Sequence, residues 1–157
     1  MIQIENNAEF KKALESMECE QQRKLAARFV ESVLFLTRDE RIPKVIRAVL
    51  TDNPDPAELE AARKMAQASI VDSHCRCGSD CDWRDQAAYF VARAAAAAVA
   101  PENKCMVKSA AWEAAVNTRM ACTCASIDGE DISERECEKQ RQIATEFLNA
   151  LQQENNK

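Results

Sequence analysis

The amino-acid sequence predicts an all-α protein, a single-domain bundle of five to seven mostly antiparallel helices around a central Ala-rich pair. Three observations carry this. The chain has 27 Ala against 2 Gly and 4 Pro in 157 residues, so it is poor in the residues that make tight turns between strands. Apolar residues recur at spacings of three and four, and no stretch alternates with period two for long enough to make a strand. The length corresponds to one domain at about 150 residues each.

The elements follow in order. Asn6 or Asn7 can cap a first helix carrying Phe10, Leu14 and Met17 on one face. Over residues 20–36 the rows Leu25, Phe29, Val33 and Ala26, Val30, Leu34 form a wide apolar stripe on a partly buried helix. After the break at 37–41, Ile42, Val45, Ile46, Val49 and Leu50 give a short amphipathic helix, with Pro43 tolerated in its first turn. Asp52-Asn53-Pro54-Asp55-Pro56 is the clearest interruption, and Asp55 followed by Pro56 and Glu58 is a start signal for a helix to about Val71. Residues 73–84 lose periodicity and read as a Cys-rich loop, after which Asp82 or Asp85 can cap the next helix.

Residues 86–100 are apolar on nearly every side, with Arg93 as the only charge, which places this helix in the middle of the bundle. Pro101 stops it. A second Ala-rich helix is expected over 102–124, with Trp112, Val116 and Met120 on one row. A turn at 127–130 follows. Ser133 and Glu136 then form a capping box for a last helix whose Ile143, Ala144, Phe147 and Leu151 face inward, with 152–157 as a frayed tail.

The formal charge of −5 repels a phosphate backbone and argues against nucleic acid as partner. No run of about 18 apolar residues predicts a membrane span, and no export signal is evident, which makes the expected location cytoplasmic. Two glycines leave little for phosphate-cradling loops.

Eight cysteines are many for such a chain. Short connections near 101 and 128 imply antiparallel neighbours, and at about 1.5 Å per residue this brings His74, Cys75, Cys77, Cys81, Cys122, Cys124 and Cys137 to one end of the bundle. Cys105 falls at the opposite end and Cys19 has no predicted place. Three readings of the cluster compete. His74, Cys75, Cys77, Cys81, Cys122 and Cys124 are candidate zinc ligands, although only Cys77 and Cys81 have a spacing usual for zinc sites. A disulfide framework requires an oxidising compartment. Cysteine also serves as a small buried residue among alanines, which suits Cys19, Cys105 and Cys137 better than the loop.

Catalytic constellations are missing from the pattern. His74 is the single histidine, and a thiol adjacent to it on one loop meets it only by contortion. No Glu-x-x-His occurs, and acidic pairs such as Glu58 and Glu60 read as solvated charge. Trp83, beside Asp80, Asp82 and Asp85, has the composition of a binding hot spot and is the candidate partner-binding site.

The segment 41–48 (Arg-Ile-Pro-Lys-Val-Ile-Arg-Ala), the helix over 58–68 and the doublets Ala87-Ala88, Ala110-Ala111 and Ala114-Ala115 with the alanines at 94–98 resemble the all-helical immunity proteins of bacterial polymorphic toxin systems. The resemblance spans about residues 29–116. It implies a small cytoplasmic bacterial protein that binds and blocks a cognate toxin without chemistry of its own. No functional residue carries over. The expected function is therefore a non-enzymatic interaction module whose acidic balance suits a basic partner such as a nuclease toxin, the alternative being a Cys/His-ligated zinc protein with a structural or sensory role.

Overall fold

The computed structural model describes residues 1–77, 82–126 and 132–157, which form eight α-helices and one 3-10 turn, with no strand among them. The first helix, α1 (Asn7–Glu15), is capped by Asn6, whose side chain accepts the Glu9 N–H at 2.9 Å. It buries Phe10 and Leu14. In α2 (Cys19–Glu31) Leu25, Ala26, Phe29 and Val30 are buried, as the stripe predicts, and a 3-10 turn at Leu34–Leu36 ends the segment. Next comes α3 (Arg41–Leu50), which buries Ile42, Val45, Ile46 and Val49. Asp55 caps α4 (Pro56–Arg76) by accepting the Ala57 N–H at 3.0 Å.

The irregular stretch expected over 73–84 is shorter than its lost periodicity implies. Helix α4 continues to Arg76 because its buried row is Ala62, Ala66, Ser69, Ser73, a small-residue stripe rather than an apolar one. The Ser73 hydroxyl donates to the Ser69 carbonyl at 2.7 Å, so its polarity is satisfied within the helix. Asp82 then caps α5 (Trp83–Ala98), accepting the Arg84 N–H at 3.2 Å.

The single helix expected over 102–124 divides in two, which raises the count from the expected five to seven. Ser109 accepts the Trp112 N–H at 3.2 Å and donates to the Gln22 side chain at 2.7 Å. Acting as an N-cap, it ends α6 (Glu102–Val107) and starts α7 (Ala110–Ala125). The last helix, α8 (Ser133–Asn155), runs through most of the expected frayed tail. Its N-cap residue is Ile132 rather than Ser133, and Glu136 is buried and accepts the Ser32 hydroxyl at 2.9 Å. The turn expected at 127–130 lies outside the described residues.

The core sits between α5 and α7, with α2 and α4 packed around them. Their alanines permit this close packing, and Ala92, Ala94, Ala95, Ala111, Ala114 and Ala115 are fully buried. One side of α5 is open, with Arg93 exposed and Ala96 half-buried. On α7 the row Val116 and Met120 is also exposed. The buried row there is alanine with Asn117, Thr118 and Cys122. Cys19 and Cys105 form a disulfide that joins the start of α2 to α6, with Cα atoms 5.7 Å apart. Among the described residues no helix is long and apolar enough to cross a membrane.

Candidate functional site

The 3-10 turn at Leu34–Leu36 decides the first wall of the site. The apolar run from Val33 to Leu36 cannot all face one core. The turn, held by the Leu36 N–H to the Val33 carbonyl at 2.9 Å, packs Leu34 and Leu36 against the core and leaves Phe35 70% exposed. Large apolar side chains at such exposure on a folded surface mark contact sites when they join other recognition residues. Phe35 does so.

Phe35 shares a cleft of about 490 Å³ with Trp83, Arg38, Arg41, Arg76 and Arg84. On the Phe35 side, Arg41 Nη2 donates to Asp39 at 2.7 Å and to Asp72 at 2.8 Å, and the Ser69 hydroxyl donates to Asp39 at 2.7 Å. These donors, the Arg41 guanidinium first, hold the Asp39 carboxyl well below the usual carboxylate range. The ion pair fixes the loop between the 3-10 turn and α3 against α4. On the Trp83 side, Asp82 pairs with Arg84 at 3.0 Å and Asp85 with Arg76 at 3.6 Å. The Arg84 guanidinium lies 5.0 Å from the Trp83 ring centroid, while the indole body packs against the core.

Of the predicted recognition residues, Trp83, Asp82 and Asp85 thus come together in one cleft, and Asp80 lies outside the described residues. The acids are paired with arginines rather than forming a free acidic face. Phe35 and the arginines opposite were not singled out from the sequence. The signal for Phe35 was the apolar triplet Leu34-Phe35-Leu36, which no single helical stripe can bury.

The candidate metal ligands are dispersed by comparison. His74 is exposed on the last turn of α4, with its ring 5.6 Å from that of Tyr89. Cys75 is exposed, and Cys77 closes the helix by donating its N–H to the Ser73 and His74 carbonyls at 3.1 Å. Cys122 and Cys124 are buried on α7. Cys81 lies outside the described residues. Among the described residues no three His, Cys, Asp or Glu side chains gather closely enough to hold a metal ion.

Burial pushes the Cys122 thiol up to about 12, with the neighbouring Glu136 carboxylate adding to the effect. At about pH 8, iodoacetamide should therefore modify exposed Cys75 and leave Cys122 intact until the protein unfolds, as peptide mass analysis would show. Equal labelling of the two thiols in the folded protein would contradict this burial. No protein-family model matches this chain, and neither do the curated proteins or the solved structures with which it was compared.

Proposed function

We propose that this chain is a non-enzymatic helical interaction module and that a protein partner docks an apolar side chain between Phe35 and Trp83. The exposure of Phe35 beside Trp83 and four arginines carries the reading, because Trp and Arg are the residues that dominate binding energy at interfaces. Arg41, Arg76 and Arg84 are already paired with carboxylates, so on their side a partner meets an ordered surface and loses less side-chain entropy on binding. Asp39 owes its lowered proton affinity to the ion pair with Arg41, and Cys122 and Glu136 owe their raised ones to burial. Neither Cys122 nor Glu136 lines the Phe35 cleft.

Neutralisation of a bacterial toxin is the most specific form of this proposal. A basic toxin would be steered toward the chain by the overall charge of −5, and its contact with the Phe35 cleft would be apolar, because Arg41, Arg76 and Arg84 there are paired with carboxylates. The test is photo-crosslinking in the native cell with p-benzoylphenylalanine at position 35, compared with the same group at exposed Lys64 on α4. One discrete adduct from position 35 and none from 64 is expected. Phe35→Asp, made at an exposed position that leaves the core intact, should then weaken binding of the captured protein at least about tenfold, or 1.4 kcal/mol. Absence of any adduct specific to position 35 would refute the reading.

A further inference from the structure

A larger recess of about 810 Å³ lies on another face and shares no residue with the Phe35 cleft. Its floor is the open side of α5, where Ala96 and Ala97 are too small to fill the space between α4 and α6. Ile70 of α4 and Val107 of α6 supply apolar walls, and Val107 is 83% exposed. The recess runs into a second one of about 560 Å³ that shares Arg93, Val107, Lys108 and Glu113 and reaches across α7 to Trp112, Val116 and Met120. Together they make an elongated, partly apolar trough whose floor of alanine permits close approach by another helix.

The charge around this trough is opposite to that of the chain. Arg63, Arg93, Lys104 and Lys108 line the larger recess against Glu60 and Glu113, a formal +2 in a protein of −5. Arg63 is already engaged, with Glu60 at 3.0 Å and with the Val99 carbonyl at 2.6 Å. Among the described residues Arg93, Lys104 and Lys108 have no carboxylate within ion-pair reach. At the far end of the second recess Lys11 lies 3.7 Å from Glu15, so that end is neutral and the positive charge is centred on Arg93, Lys104 and Lys108.

We infer that this trough binds an acidic amphipathic helix of a protein partner, whose apolar face covers Val107, Val116 and Met120 and whose carboxylates pair with Arg93, Lys104 and Lys108. An amphipathic helix suits an elongated groove with apolar contacts at successive turns. Net positive charge within an acidic protein selects the sign of the ligand, because a basic segment would be repelled at the rim while an acidic one gains complementary pairs. The inference does not depend on the Phe35 reading, and either can fail alone.

The experiment is a nitrogen-15 NMR titration of the full chain with a synthetic helix of about 18 residues, leucine on one face and glutamate on the other. A counterpart with lysine for glutamate and the single-chain amphiphile dodecanoate serve as comparisons. Saturable shifts centred on Arg93, Lys104 and Lys108 are expected with the acidic peptide, weakening as salt rises. The triple variant Arg93→Glu, Lys104→Glu, Lys108→Glu should bind at least about tenfold more weakly, with circular dichroism unchanged since all three side chains are exposed. Equal binding of the lysine peptide, an unchanged triple variant, or shifts centred on the Phe35 cleft would each overturn the inference. So would occupation of the trough by dodecanoate where the acidic peptide leaves it empty, which would assign the site to small anionic amphiphiles.

Discussion

Reduction of the Cys19–Cys105 disulfide, or its replacement in a Cys19→Ser, Cys105→Ser variant, should lower the stability of this protein by about 3 kcal/mol, with about 4.5 kcal/mol as the chain-entropy ceiling for a loop of this length. The bridge spans 86 residues of sequence, so it removes a large set of extended conformations from the unfolded chain. It also has a local task. A helix of six residues is far below the length that is stable alone in water, and α6 has no side-chain cap at its N-terminus. Its Cys105 is buried while Glu102, Asn103, Lys104 and Val107 are exposed. The bond to the first residue of α2 therefore fixes α6 over the end of the Ala-rich pair and holds Lys104 and Val107 at the edge of the cationic trough.

Guanidinium unfolding with and without a reductant checks the global effect, and amide hydrogen exchange checks the local one. In the reduced protein the amides of α6 should exchange within the dead time while those of α5 and α7 stay protected. An unfolding midpoint that is the same in oxidised and reduced protein would show that the bridge contributes nothing to stability. The serine variant also separates the bond from its burial, since two hydroxyls replace the sulfurs without the covalent link.

The helices were legible where burial and local propensity agree. Asn6 and Asp55 are caps because their side chains reach backbone N–H groups within three residues, a relation that needs no tertiary partner. The stripe through Leu25, Phe29 and Val30 is likewise written in one segment. What failed depended on partners distant in sequence. Ser133 and Glu136 satisfy the pattern of a capping box, yet Glu136 is taken by Ser32, 104 residues away. Ser109 ends a helix that its neighbours would continue, and it is held there by Gln22 from α2. Ser69 and Ser73 sit on the buried row of α4 because an alanine-lined interior has room only for small side chains, so a search for large apolar residues passes over them.

The same division holds for the site. Trp83 was visible as an aromatic residue among acids, whereas the arginines that neutralise those acids are Arg76 and Arg84, and the apolar partner, Phe35, comes from the 3-10 turn at Leu34–Leu36, far away in sequence. The trough was invisible because its cations stand at positions 63, 93, 104 and 108, on three helices and the link after α6. Cys19 had no predicted place, since a disulfide across 86 residues leaves no local trace. Sequence periodicity reports which face of a helix is buried, and it says nothing about which helices meet.

Gln140→Ala should cost about 3 kcal/mol. Gln140 is fully buried on α8. Its amide nitrogen donates to the Thr118 hydroxyl at 2.6 Å and the Ala115 carbonyl at 3.1 Å, and its carbonyl accepts Arg119 Nε at 2.7 Å. Arg119 in turn lies over Phe10 and Trp112, at 5.1 and 5.6 Å from their ring centroids. One side chain thus joins α8 to α7 and orients a guanidinium that reaches α1. Burial already lowers the proton affinity of Arg119, and its Nη2 is buried without an acceptor among the described residues. Removing Gln140 would strip the Nε donor of its acceptor as well and leave a cavity, two penalties that add. The cost therefore arises from what is left unpaired, and a control follows from that. In Arg119→Met combined with Gln140→Leu both partners become apolar at similar volume, and the loss should be smaller than the sum of the two single losses by at least about 1 kcal/mol. Urea unfolding of the four proteins at a common slope gives this coupling directly. Additivity within about 0.5 kcal/mol would mean that Gln140 and Arg119 act independently, and that Gln140 ties α8 to α7 through Thr118 and Ala115 alone.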